Sequence, residues 1–155
     1  GIILNEYETT TWSDRPVEIL IDSIGLGAGV VDRLTELDLP VRGINVAESA
    51  SMGERYGRLR DELWFLGKEW FEARDCTIPD QEELIDDLSK PRFTFLSNGK
   101  LKVEGKDEMK RRGLNSPDLA DAFCLTFASR ASIAKNGSAH KWNKNINYGK
   151  STWIV

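Results

Sequence analysis

Val17-Glu18-Ile19-Leu20-Ile21-Asp22-Ser23-Ile24-Gly25-Leu26-Gly27-Ala28-Gly29-Val30-Val31-Asp32-Arg33-Leu34 is the stretch on which the fold turns. Residues 17–21 are apolar apart from Glu18, as in a strand covered on both faces of an α/β sheet. The run ends in Asp22, passes through three spaced glycines, and resumes with Val30, Val31, Leu34 and Leu37 at helical spacing. Asp38-Leu39-Pro40 closes that helix, and residues 41–46 (VRGINV) alternate as a further strand. Strand, helix and strand joined by short links predict a right-handed parallel crossover, and hence an α/β class.

Upstream, residues 1–11 read as a strand with imperfect alternation, suited to a sheet edge, and Trp12–Pro16 as a turn. Downstream, residues 54–74 carry Leu59, Leu63, Leu66 and Trp70 at helical intervals, with Arg58, Arg60, Asp61, Glu62, Lys68, Glu69 and Glu72 assigned to a solvated face. A short acidic helix is expected over 81–88. Residues 92–96 and 100–103 flank Ser97-Asn98-Gly99, a strong hairpin signal. A short basic segment over 106–112 ends at Gly113, and a helix over 116–129 opens with Ser116 as N-cap and Pro117 at its first position. Residues 131–155 are polar with scattered aromatics and read as a tail.

The chain has 155 residues, 40% hydrophobic and 30% charged, which suits one domain with a real core. Two cysteines and a single histidine exclude a Cys/His zinc cluster and fit a reducing compartment. No apolar run approaches the ~20 residues of a membrane span, and no signal-peptide start is present. The chain lacks an initial Met and is expected to be a piece of a longer protein.

Three groups of residues bear chemistry. The glycine loop invites a dinucleotide reading, but the third glycine of that fingerprint would fall at Val30, and Asp22 would repel a pyrophosphate. Glycines for a tight turn and close helix–sheet packing explain it as well. The second group is Asp22 with Asp118 and Asp121. Asp22 ends a buried strand, where ligands of open α/β sheets bind. Asp118 and Asp121 are three apart and share a helical face. A cap-and-dipole role explains the pair alone. If the final helix packs beside the strand end, three carboxylates converge and call for a hard divalent cation, Mg²⁺ or Mn²⁺. Two such ions about 4 Å apart suit in-line hydrolysis of a phosphodiester. The third group is the basic stretch 90–112. Its eight basic residues against three acidic ones stand out in a chain of net charge −4. A lysine-protected hairpin edge is one reading and a phosphate-contacting surface the other; the second assigns Arg92, Lys100, Lys102, Lys106, Lys110, Arg111 and Arg112 to phosphates.

The stretch 22–34, Val41-Arg42-Gly43-Ile44-Asn45, Pro91-Arg92-Phe93, and 106–122 (KDEMKRRGLNSPDLADA), in that order, resemble the C-terminal nuclease domain of a tailed-phage terminase large subunit. The resemblance runs from about residue 17 to 130. It implies a ribonuclease H-like mixed sheet flanked by helices, with residues 1–130 as the nuclease domain and 131–155 as a tail. It further implies a two-metal endonuclease cutting concatemeric viral double-stranded DNA, with Asp22, Asp118 and Asp121 as catalytic ligands of Mg²⁺ or Mn²⁺ and the hairpin around Asn98-Gly99 near DNA. Its implied partners are the terminase ATPase domain, the small terminase subunit and the portal, in the host cytoplasm. The family has an aspartate on a first strand, for which residues 1–11 offer only Glu6 and Glu8, and a helix before the strand matching residues 17–22, where only Trp12–Pro16 connect; either segments are missing from this chain or it is a divergent or truncated form. Two other readings are a catalytically silent DNA- or portal-docking domain and a nucleotide-binding α/β module.

Overall fold

A computed structural model describes residues 1–129, and these fall into two compact units divided between Asn45 and Val46. The first unit begins with α1 (Ile2–Thr9) and a 3₁₀ turn over Trp12–Asp14. The expected N-terminal strand is therefore a helix. Within it the Thr9 and Thr10 hydroxyls donate to the carbonyls of Asn5 and Glu6, one turn back, at 2.8 and 2.7 Å. None of its residues is buried, so no apolar face fixes a strand register.

β1 (Ile19–Asp22), α2 (Leu26–Glu36) and β2 (Val41–Ile44) follow. β1 and β2 pair in parallel, Ile19 opposite Val41 and Asp22 opposite Ile44, as the crossover requires. α2 starts four residues earlier than the apolar spacing predicts, so Gly27 and Gly29 lie inside it. Gly25, at φ +64, makes the turn off the strand. Gly27 has a different role: a Cβ there would overlap the Asp22 carbonyl oxygen, so helix and strand end approach too closely for any other residue. The glycine loop is thus a packing device. Leu34, Leu39 and Ile44 are buried in this unit. The strand residues Ile19, Leu20 and Ile21 are half-buried rather than covered on both faces.

The second unit is built on α3 (Leu59–Glu72), with α4 (Glu82–Ser89), β3 (Phe93–Phe95), β4 (Leu101–Val103), α5 (Lys106–Arg111) and α6 (Asp118–Leu125). β3 and β4 form the expected antiparallel hairpin, turned at Gly99 with φ +79. The outer edge of β4 is met by residues 55–57: the Leu101 N–H donates to the Arg55 carbonyl at 2.8 Å, and the Gly57 N–H to the Leu101 carbonyl at 3.1 Å. Those residues are irregular, so the long helix starts at Leu59 and not at 54.

Leu59, Leu63 and Leu66 of α3 are buried with Phe123, Cys124 and Leu125 of α6, as spacing predicts. Two acids assigned to the solvated face are not solvated: Asp61 is 4% exposed and Glu62 0%. Asp61 accepts the Arg58 N–H at 2.9 Å, capping α3, and the Val103 N–H at 2.8 Å, tying the helix to β4. Glu62 accepts the Ser51 N–H at 2.6 Å and the Ser51 hydroxyl. A buried carboxylate survives where backbone donors satisfy it, and both lie in the helix's first turn.

Candidate metal and nucleic-acid site

α6 opens at Asp118, one residue later than a Ser116 cap with Pro117 at the first position predicts. Pro117 stands at the cap position and makes no side-chain cap bond. The Ser116 hydroxyl instead donates to Asp118 Oδ1 at 2.6 Å, and Asp87 of α4 accepts the Leu119 N–H at 3.1 Å, a cap supplied by a neighbouring helix. Asp118 and Asp121 share the face that their spacing predicts, but their surroundings differ. The Asp118 side chain is 73% exposed and that of Asp121 23%.

Both carboxylates face one ammonium group. Lys106 Nζ, from the first position of α5, lies 2.8 Å from Asp118 Oδ1 and 3.7 Å from Asp121 Oδ2. Asp121 Oδ1 is held from the other side. It accepts Arg60 Nε at 3.1 Å and the Trp64 indole N–H at 2.9 Å. Arg60 is fixed in turn by the Glu104 carbonyl, which accepts from Nη1 at 3.1 Å, and lies over the Trp64 ring. Arg60 and Trp64 are four apart on α3 and share a face beside its leucines, both reaching Asp121 of α6. That spacing was the available signal for a polar face turned inward; reading the charges of α3 as solvated missed it.

The electrostatics follow from these contacts. The Lys106 hydrogen bond, followed by that from Ser116, holds the Asp118 carboxyl below its ordinary value. For Lys106, burial pushes the pKa down, but the hydrogen bond to Asp118 and the charges of Asp121 and Asp118 outweigh it and the net shift is upward. Burial, followed by the Asp121 charge, pushes the Cys124 thiol far up, so it is an inert core residue.

Asp22 belongs to the first unit, exposed at the end of β1. Its Oδ1 accepts the Ile24 N–H at 3.1 Å, occupying an amide that an anion at this turn would use. Among the described residues no group of three or more His, Cys, Asp or Glu is arranged as a metal site. The donor chemistry of Asp118 and Asp121 nonetheless fits a hard cation: two carboxylates already bracket the positive charge of Lys106.

The basic residues divide into two groups. Lys102 pairs with Glu108 at 2.8 Å, Arg112 with Glu104, and Lys106 with the aspartates. Arg92, Lys110 and Arg111 are exposed and Lys100 half-buried, and none of these four has an ion pair among the described residues.

The fold is similar to solved structures of the nuclease domain of the large terminase subunit gp2 of bacterial virus Sf6. The K428A mutant of that domain, with manganese and beta-thujaplicinol, superposes with a TM-score of 0.53 at 23% identity, over 70% of this chain and 64% of that one. The domain without the mutation gives 0.51 at 22% identity, over 70% and 64%. The chain has a terminase nuclease-domain fold. It spans less than two thirds of those relatives' length, so the likeness is one of architecture over a shared part. No family model matches the sequence, and no curated protein does. The α/β class expected from the sequence is borne out, with six helices and two small sheets among the described residues; the expected single mixed sheet is not, because the parallel pair β1–β2 and the antiparallel pair β3–β4 stay separate there. No helix among the described residues is long and apolar enough to cross a membrane.

Proposed function

We propose that this chain is the nuclease part of a DNA-packaging terminase, a divalent-metal-dependent endonuclease that cuts double-stranded concatemeric viral DNA. The observation that carries the reading is the Asp118–Asp121 pair gathered around a single positive charge at the start of α6, on a fold similar to a terminase nuclease domain. Two of the similar structures were solved with manganese. In this reading Asp118 and Asp121, completed by Asp22, hold Mg²⁺ or Mn²⁺. When bound, two such ions supply a nucleophilic water at neutral pH and charge to the scissile phosphate.

The chain's own residues prepare that chemistry. Lys106 holds the Asp118 carboxyl below its ordinary value and lies against both carboxylates. Arg60 and Trp64 fix Asp121 Oδ1, leaving Oδ2 turned toward the shared cation position. Of the seven basic residues assigned to DNA, Arg92, Lys100, Lys110 and Arg111 are the ones able to meet phosphates without breaking an ion pair of the described structure. Lys102, Lys106 and Arg112 must exchange a carboxylate for a phosphate. The ATPase domain, small subunit and portal are the partners of this reading, and the host cytoplasm its compartment.

A silent docking domain is the second reading. What favours it is that Asp118 and Asp121 are already neutralised by Lys106 and Arg60. Plasmid nicking with Mn²⁺ separates the two. The nuclease reading expects cleavage that is lost in EDTA and falls at least a hundredfold in Asp118→Ala. Retardation of DNA without cleavage supports docking, and cleavage that survives Asp118→Ala rules out the metal-site assignment.

A further inference from the structure

Phe93 and Phe95 are 57% and 66% exposed, unusual for two large rings side by side. They lie two apart on β3, with centroids 6.3 Å apart in an edge arrangement. Phe93 is seated on Phe65 of α3 at 5.6 Å, and Phe65 on the buried Tyr56 at 5.4 Å, so the pair projects from a fixed base.

β3 is an edge strand among the described residues, paired only with β4. The Glu104 N–H donates to the Arg92 carbonyl and the Leu96 N–H to the Lys100 carbonyl. Antiparallel alternation therefore turns the main-chain groups of Phe93 and Phe95 to the open side. The edge is flanked by Arg92 before the first ring and by Lys100 across the turn. Neither has an ion pair among the described residues, and Thr94, Ser97 and Asn98 add exposed hydrogen-bonding groups.

Resting on the nucleic-acid reading above, we propose that this edge is a stacking platform for unpaired nucleobases, with Phe95 and Phe93 taking base faces and Arg92 and Lys100 the adjoining phosphates. Two rings set among cations and hydrogen-bonding groups form too narrow an apolar patch for a protein core, but they match the alternation of flat bases and anionic backbone in a single strand. Bases inside a duplex have both faces covered by neighbours. The ligand is therefore single-stranded DNA or the frayed end of a cut duplex.

The test uses the 155-residue chain and two fluorescently labelled probes, an oligothymidylate and a duplex of equal length. Phe95→Leu keeps an apolar side chain at an exposed position. It should weaken oligothymidylate binding by about tenfold, while duplex affinity stays within about twofold. Phe95→Trp should restore single-strand affinity, and its added indole emission should be quenched by the oligonucleotide. Unchanged single-strand affinity in Phe95→Leu, or indole emission indifferent to the oligonucleotide, overturns the proposal. So does a change of sedimentation in Phe95→Leu with single-strand binding intact, which would make the edge a protein interface. Wild-type binding to the duplex tells the two claims apart. If the duplex is bound and only the Phe95 effects are missing, the platform alone is wrong. If neither probe is bound, the nucleic-acid reading falls with it.

Discussion

Lys106 shows why residue type alone misleads at this site. By composition it belongs to a basic stretch facing phosphates, yet its ammonium group lies between Asp118 and Asp121. The linkage has a definite sign. Folding holds the Asp118 carboxyl below its ordinary value, so its contribution is complete above that value and disappears as pH falls through the lowered one. Folding raises the Lys106 pKa, so its contribution is complete below the ordinary lysine value and disappears as pH rises through the raised one. Both groups are charged across the neutral range. Carboxyl-carbon NMR titration should therefore find that Lys106→Ala moves Asp118 up toward its ordinary value. An unmoved Asp118 would mean that the ion pair is not formed in solution. The Asp118–Asp121 spacing was legible in the sequence because a helix fixes it. The contacts with Lys106, Arg60 and Trp64 were not, because they join segments up to 61 residues apart.

At the scale of the element, the glycines of α2 separate packing from signature. Gly27 lies against the Asp22 carbonyl oxygen, whereas a methyl group added at Gly29 would meet nothing within 4 Å. Gly27→Ala should therefore destabilise the chain by about 1–3 kcal/mol through forced separation of helix and strand. Gly29→Ala, exposed and helical, should stabilise it by about 0.5–1 kcal/mol. Urea denaturation of the two variants checks both signs, and equal effects would refute the packing account. β1, α2 and β2 were readable from the apolar spacing over residues 17–46, although the glycines misplaced the start of α2 by four residues. The N-terminal helix was not. Ile2, Ile3, Tyr7 and Thr9 favour a strand intrinsically, and no buried face forces the choice. Asp61 and Glu62 were misread for a related reason. Their charge argues for solvent, and only the backbone donors of Ser51, Arg58 and Val103 make burial tolerable.

For the whole molecule, the proposal requires Asp22 to act with Asp118 and Asp121, although Asp22 belongs to one compact unit and the other two to the second. Sequence order supplied that association through the resemblance of 22–34 and 106–122 to one nuclease pattern. Paramagnetic broadening by Mn²⁺ tests it most directly. Titrating Mn²⁺ into isotopically labelled protein should broaden the signals of Asp22, Asp118 and Asp121 together at low metal ratios, and Asp118→Ala should abolish the effect at all of them. Broadening of Asp118 and Asp121 with Asp22 untouched, or of none of the three, would contradict a shared metal site.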